Sequence, residues 1–179
     1  MVAVSEAEPF DARQETPTLV VVCGLPGVGK TTVAEEVAER LDGLLLRTDV
    51  IRKEILSDPD YTEEESRMVY RELFDRARRT VEDGRSVVLD GTFKDADDRD
   101  RATELSASLG VEFRLVAVEC DEDVVRERIE RREGDESDAD FEVHAMYREQ
   151  FDPISVDHVT VDNSEGIEET TRQVAESFE

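Results

Sequence analysis

Several features are scarce in this 179-residue chain, and each absence excludes a class of protein. The chain has no tryptophan and only two cysteines, Cys23 and Cys120, which are not spaced as a CxxC pair. This spacing predicts neither a zinc ribbon nor a disulfide framework, and two buried thiols in a reduced cytoplasmic protein are the simplest interpretation. No run of 18 apolar residues is present, so the sequence predicts no transmembrane helix and no membrane partner.

The first 16 residues lack a basic start followed by an apolar core, so we do not expect them to be a secretory signal peptide. They contain four acidic residues (Glu6, Glu8, Asp11 and Glu15), and we expect a mobile acidic leader over residues 1–16. Residues 17–179 are enough for one α/β domain with a complete core.

Positive charge is also scarce. The chain has 47 acidic and 22 basic residues, a net charge of −25, and only three of the basic residues are lysine. This balance opposes binding to nucleic acid in dilute salt. The composition resembles that of cytosolic proteins from halophilic archaea. In molar salt the Debye length falls to about 3 Å, so a nucleic-acid partner is disfavoured without being excluded.

The octapeptide from Gly24 to Thr31 fits the pattern G-x-x-x-x-G-K-[ST]. Its glycines let the backbone turn tightly, so that successive N–H groups face a triphosphate. We expect Lys30 to reach the β- and γ-phosphates and the Thr31 hydroxyl to hold Mg²⁺. The residues expected to contact ATP are Gly24, Leu25, Pro26, Gly27, Val28, Gly29, Lys30, Thr31 and Thr32.

The flanking residues support this motif. The run from Thr18 to Cys23 is apolar and β-branched, which is typical of a strand buried in a parallel sheet. After the loop, apolar residues recur at helical spacing from Val33 to Leu41. Strand, glycine-rich loop and helix follow in the order that a phosphate-binding loop requires, and an incidental glycine turn is the weaker interpretation.

Strand and helix patterns alternate along the rest of the chain, which predicts a three-layer α/β/α fold with five parallel strands. Strands are expected at 18–23, 43–48, 86–90, 111–120 and 158–162. Further helices are expected at 50–56, 62–82, 95–109, 121–132 and 141–151, with an acidic loop at 134–140 and a closing helix that ends near 178. Thr62 and Glu65 form a capping box at the start of the longest helix, whose aromatic residues we expect in the core.

Polar residues follow the predicted strands at their carboxyl ends, where ligands bind in open α/β sheets. Asp90 ends the third strand and is a candidate acceptor for the water shell of Mg²⁺. The alternative is that it serves as a helix cap or turn residue. Asp49 ends the second strand and is a candidate base for a substrate hydroxyl. Arg52, one helical turn later, could hold a polar or anionic substrate. A surface ion pair between Asp49 and Arg52 is the alternative.

Arginines are concentrated after the fourth strand, within a candidate lid at about 121–140. Phosphoryl transfer needs positive charge against the transferring group, and a lid that carries Arg128 and Arg132 would supply it. The i,i+4 spacing places these two on one helical face. A solvated helix face of paired arginine and glutamate is the alternative.

Together these segments resemble the small P-loop kinases of the AAA-domain "predicted kinase" group, related to polynucleotide kinase, zeta toxins and gluconate kinase. The resemblance covers residues 18–153 and rests on 24–31, 49–53, 87–93 with Arg99, 128–132 and 137–140. It implies the strand order 2-3-1-4-5. It also implies Asp49 as general base, Arg52 as acceptor contact, Asp90 at the metal and a lid arginine within 128–132. No role follows for the segment 137–138.

The sequence therefore predicts an ATP- and Mg²⁺-dependent kinase that phosphorylates a hydroxyl of a small molecule, a nucleoside or a nucleic-acid 5′ end. A small molecule or nucleoside is the preferred acceptor, because no basic track or aromatic platform for a nucleic-acid strand is visible. The alternative is a nucleotide-dependent switch or partner-binding ATPase, which would need no acceptor base. Neither the acceptor nor the oligomeric state follows from the sequence.

Overall fold

The computed structural model describes residues 16–131 and 136–179, with the side chains of 136–140 left out. All but the last residue of the expected acidic leader therefore lies outside the described residues. Within the described part, no helix combines the length and the apolar character needed to cross a bilayer.

Five parallel strands form one sheet in the order β2-β3-β1-β4-β5, which confirms the expected fold class and strand order. The strands are β1 (Thr18–Cys23), β2 (Leu44–Arg47), β3 (Val87–Asp90), β4 (Glu112–Glu119) and β5 (Val159–Asp162). The helices are α1 (Lys30–Leu41), α2 (Thr48–Ile55), α3 (Glu63–Glu82), α4 (Ala96–Leu109), α5 (Glu122–Glu130), α6 (Glu136–Gln150) and α7 (Ile167–Ser177).

The sheet buries both of its faces, as the unbroken apolar run of β1 predicts. Every residue of β1 is buried, and its side chains alternate between two core clusters. One cluster joins Leu19, Val21 and Cys23 to α3 and α4, and the other joins Val20 and Val22 to α1 and α7. This central position of β1 places the loop that follows it between neighbouring strand ends on both sides.

The longest helix begins where its capping residues predict. The Thr62 hydroxyl accepts a hydrogen bond from the backbone N–H of Glu65 at 3.2 Å. α3 starts at Glu63, the residue after Thr62. The Glu65 carboxylate accepts from the backbone N–H of Asp60 at 3.0 Å, two residues before the cap. The aromatic residues of α3 pack as expected, since Phe74 is buried and Tyr70 lies edge-on against Phe93 with ring centroids 5.0 Å apart.

Three boundaries differ from the sequence expectations. β2 ends at Arg47, its last residue paired with β3, so Asp49 lies in the first turn of α2 rather than at a strand end. β4 ends at Glu119, which leaves Cys120 partly buried beyond the strand rather than in its core. The expected acidic loop at 134–140 is helical from Glu136, because acidic residues are favourable in the first turn of a helix.

Candidate active site

The glycine-rich segment turns tightly between β1 and α1, and two of its glycines are enforced by close contacts. Gly29 has φ +87°, and a Cβ there would lie 2.2 Å from the side-chain nitrogen of Asn163. A Cβ on Gly24 would lie 2.6 Å from the carbonyl oxygen of Val118. No other residue type fits these two positions without displacing its neighbour, so the loop is built for backbone N–H groups to approach a ligand.

Lys30 is the first residue of α1 and is held against the loop. Its ammonium group donates a hydrogen bond to the carbonyl of Leu25 at 3.1 Å. Burial lowers the pKa of Lys30, and the nearby carboxylate of Asp90 opposes this effect. The amine therefore lies against the loop, and its contact with the phosphates stays a prediction.

Thr31 and Asp90, the two residues predicted to serve a metal, are in contact. The Thr31 hydroxyl donates to the Asp90 carboxylate at 2.8 Å, and Asp90 is 5% exposed at the end of β3. Burial raises the pKa of Asp90, and the Thr31 hydrogen bond and Lys30 oppose the rise. A hydroxyl and a carboxylate beside an enforced anion-binding loop are the oxygen donors that Mg²⁺ prefers, so these residues fit Mg²⁺ with a nucleotide.

Arg47 connects the metal-side carboxylate to the candidate base, and sequence reasoning missed it. Its Nη2 donates to the Asp49 carboxylate at 2.9 Å, and its Nε lies 3.6 Å from the Asp90 carboxylate. Within the described ranges, this buried Nε has no hydrogen-bond partner. Arg47 sits directly opposite Asp90 in the β2–β3 register, a signal that becomes available once the pairing of the strands is known.

Asp49 presents its carboxylate to solvent beside this group. Its side chain is 59% exposed, and one carboxylate oxygen accepts a hydrogen bond from the backbone N–H of Val50 at 2.9 Å. Thr31, Asp90, Arg47 and Asp49 thus form one polar chain from the phosphate loop to an accessible carboxylate.

Arg52 does not pair with Asp49, so the alternative of a surface ion pair between them is wrong. Its guanidinium group donates to the Ser66 hydroxyl at 3.2 Å and lies 3.8 Å from the Glu65 carboxylate. The ring of Tyr61 covers it at 5.0 Å. The side chain is only 12% exposed, and its buried Nη1 finds no hydrogen-bond partner among the described residues.

Arg99, which belonged to the family-like segments, is a structural residue. It is 3% exposed and donates to the main-chain carbonyls of Phe93, Lys94, Asp152 and Pro153 at 2.7 to 3.3 Å. These bonds tie the segment after α6 to the loop after β3. Each of its two Nη atoms donates to two carbonyl oxygens.

Arg128 lies at the helix end of the loop. Its Nη2 donates to the main-chain carbonyl of Asn163 at 2.6 Å, and its Nη1 lies 3.5 Å from the sulfur of Cys120. The same Nη1 is 3.9 Å from the position that a Cβ on Gly29 would take. Arg132 lies outside the described residues, as do the side chains of Ser137 and Asp138.

Asn163, in the segment after β5, was also missed from the sequence. It is 6% exposed, its side-chain amide donates to the carbonyl of Val28 at 2.8 Å, and its amide oxygen accepts from the Thr170 hydroxyl at 2.6 Å. The first bond holds the loop from the β5 side, and the second fixes the orientation of the Asn163 amide. A polar residue after a short strand carries no local pattern that would indicate this role.

A cavity of about 440 Å³ lies between the first residues of the loop, the end of β4 and α6. Cys23, Ala117, Phe151 and Ile154 supply apolar lining, and His144 and Arg148 of α6 line its other side. Its size suits a small molecule. The lining contains none of the residues predicted to serve the acceptor, which lie on the β2–β3 side of β1.

A parallel sheet of order 2-3-1-4-5 with this loop between β1 and α1 defines a P-loop protein of the kinase fold. Sequence comparison gives the family, since a model of the AAA domain family AAA_33 matches residues 19–154. The chain belongs to this family.

Among individual proteins, similarity extends over most of this chain. An uncharacterized protein of Mycobacterium tuberculosis is 36% identical over 148 residues, which cover 74% of this chain and 29% of that relative. This chain thus spans less than a third of the length of that relative.

Two solved structures share the fold. A gluconokinase from Sinorhizobium meliloti superposes with a TM-score of 0.69 at 20% identity over 91% of both chains. The APS kinase CysC of Mycobacterium tuberculosis, solved with AMPPNP and APS, superposes with a TM-score of 0.67 at 20% identity, over 89% of this chain and 95% of that chain. At these identities the likeness shows the fold alone.

Proposed function

We propose that this protein is an ATP-dependent kinase that transfers the γ-phosphoryl group to a hydroxyl of a small molecule or nucleoside. The observation that carries the proposal is the polar chain from Thr31 through Asp90 and Arg47 to Asp49. It joins the phosphate loop to an exposed carboxylate, which a protein that only binds nucleotide does not need. The names of the kinases that share the fold mention small molecules, and a nucleic-acid end gains no support from them.

Each residue then has one task in the transfer. Asp49 accepts the proton of the acceptor hydroxyl as its oxygen forms a bond to the γ-phosphorus, and the bond to the bridging oxygen of ADP breaks. Lys30 and the loop N–H groups stabilise the phosphate oxygens, and Arg47 orients Asp49. Arg52 would contact the acceptor. Arg128 or Arg132 would place positive charge against the transferring phosphoryl group. Mg²⁺, held by Thr31 and Asp90, would supply positive charge to the β- and γ-phosphates.

Asp49→Asn tests the base directly. The change removes the proton acceptor without altering size, so transfer to the true acceptor should fall by about 10²- to 10⁴-fold while ATP affinity stays unchanged. Asp97→Asn is the matched control, because Asp97 is also an exposed acid in the first turn of a helix. Unchanged transfer in Asp49→Asn would remove Asp49 from the mechanism.

The acceptor is found by a screen with labelled ATP in molar KCl against nucleosides, sugars, sugar acids and 5′-hydroxyl oligonucleotides. A kinase hydrolyses ATP slowly until its acceptor is added. The alternative, a switch or partner-binding ATPase, would show slow hydrolysis that no hydroxyl compound changes and that a protein partner stimulates. No transfer to any class, together with stimulation by a partner, would replace the proposal with that alternative.

A further inference from the structure

The phosphate loop is held from two sides by side chains that come from far along the chain. Asn163 binds the carbonyl of Val28, and on the opposite side the Nδ1 atom of His144 lies 2.7 Å from the carbonyl oxygen of Pro26. Because a carbonyl only accepts hydrogen bonds, Nδ1 of His144 carries the proton and donates. Outward-facing carbonyls need such partners if the N–H groups between them are to face a ligand.

His144 belongs to α6 and is fully packed there. It is 3% exposed, and its ring stacks on Phe141 with centroids 5.7 Å apart and an interplanar angle of 24°. The guanidinium group of Arg126, on α5, covers the Phe141 ring at 3.9 Å. Arg126, Phe141 and His144 thus form a stack that joins α5 to α6. The hydrogen bond from His144 connects this stack to the phosphate loop.

α5 also contacts the loop, but through apolar side chains that make no hydrogen bond to it. A Cβ on Gly27 would meet side-chain atoms of Val125 and Ile129 at 3.1 and 3.4 Å, which are apolar contacts. Such contacts exclude water and tolerate small rotations of the loop. Among the described residues, the bond from His144 is the directed polar contact to the Pro26 carbonyl, so it orients that carbonyl.

We propose that His144 is a positioning residue that holds the phosphate loop in its nucleotide-binding conformation. It turns the Pro26–Gly27 peptide outward, and it makes nucleotide affinity depend on the seating of α6 against the loop. The residue touches no phosphate itself. This inference rests on the nucleotide binding that the proposed function requires, but not on the acceptor or on Asp49.

A pair of substitutions separates the hydrogen bond from the packing. His144→Phe keeps the ring and its stack on Phe141 but removes the donor, and AMPPNP affinity with Mg²⁺ should fall about tenfold, measured by calorimetry. His144→Asn places an amide donor near the position of Nδ1 and should recover most of the loss. Leu105→Ala is the control, because Leu105 is buried on α4 and belongs to the core cluster that does not include Phe141.

A second measurement reports on α6 directly. Cys23 is fully buried and lines the same cavity as His144, so it is shielded while α6 is seated. Iodoacetamide labelling of Cys23, followed by mass spectrometry, should be faster in His144→Phe than in the wild type. The control for the labelling is Val174→Ala, because Val174 is buried on α7 in the core cluster that does not contain Cys23. It should not show this acceleration at equal loss of thermal midpoint.

The outcomes are distinct. If the wild type binds AMPPNP and His144→Phe binds it equally well, the inference is overturned while the proposed function stands. Loss of affinity in His144→Phe without recovery in His144→Asn would assign the effect to disturbed packing at this position and overturn the hydrogen-bond role. An equal loss in Leu105→Ala at matched stability would reduce it to general destabilisation. If the wild type binds no AMPPNP, both the proposed function and this inference fail.

Discussion

Gly29→Ala tests whether the tight turn of the phosphate loop is enforced by Asn163. Gly29 has φ +87°, and an added Cβ would lie 2.2 Å from the Asn163 side-chain nitrogen. The left-handed backbone costs an alanine about 1–2 kcal/mol. Displacing Asn163 also breaks its bond to the Val28 carbonyl, and leaving that buried group unpaired costs about 1–3 kcal/mol more. The substitution should therefore lower the free energy of unfolding by about 2–5 kcal/mol.

Gly110→Ala is the matched control for the backbone term alone. Gly110 has φ +68° at the end of α4, and nothing lies within 4 Å of the position that its Cβ would take. It should cost only the strain of about 1–2 kcal/mol. Urea unfolding followed by circular dichroism measures both variants, and the excess loss in Gly29→Ala is the contribution of the contact with Asn163.

A double substitution completes the test. In an Asn163→Ala background the obstacle is gone, so Gly29→Ala should cost no more than Gly110→Ala, and the coupling energy of the cycle should exceed about 1 kcal/mol. The reasoning is refuted if Gly29→Ala and Gly110→Ala are equally destabilising in the natural background. In that case Asn163 would yield without loss, and the loop would not depend on it.

Three further predictions follow from burial and charge. Asn163→Asp replaces the amide donor, 2.8 Å from the Val28 carbonyl, by a carboxylate that cannot donate. It should lower the free energy of unfolding in urea by about 3 kcal/mol or more, and a loss under about 1 kcal/mol would contradict this. Burial raises the pKa of Cys23 from 9.0 to about 11, so the unfolded thiol ionises first and stability should fall between pH 9 and 11, less so in Cys23→Ala. A flat profile in this window would argue against the shift. Because the net charge is −25, raising KCl from 0.1 to 2 M should raise the thermal midpoint by screening self-repulsion, and equal osmolality of sucrose is the control.

Local patterns were sufficient wherever one segment carried the whole signal. The apolar run of β1, the glycine spacing and the helical period after it predicted a loop between a strand and a helix, and the segment does connect β1 to α1. The predicted cap of α3 is also confirmed, because Thr62 and Glu65 are only three residues apart and their pairing is a local pattern. Asp90 was placed correctly because it directly ends a buried strand.

Local patterns failed where an element begins for non-periodic reasons. Residues 134–140 contain almost no apolar side chains, so periodicity predicted a loop although α6 begins at Glu136. Asp49 was assigned to a strand end because the leucine run before it continues to Arg47 without a break. The end of β2 is set by its pairing with β3, which a single segment does not reveal.

The sequence by itself determined the fold class and the phosphate loop, because both depend on periodicity and spacing within short segments. Only the tertiary structure decided what surrounds the loop. Arg47 bridges Asp49 and Asp90 through strand register, whereas Arg52 turns to Ser66 and Glu65 instead of Asp49. Two side chains that bind the loop, those of His144 and Asn163, lie 118 and 135 residues from the carbonyls they contact. Contacts at such separations follow from sheet order and helix seating, which no local pattern encodes.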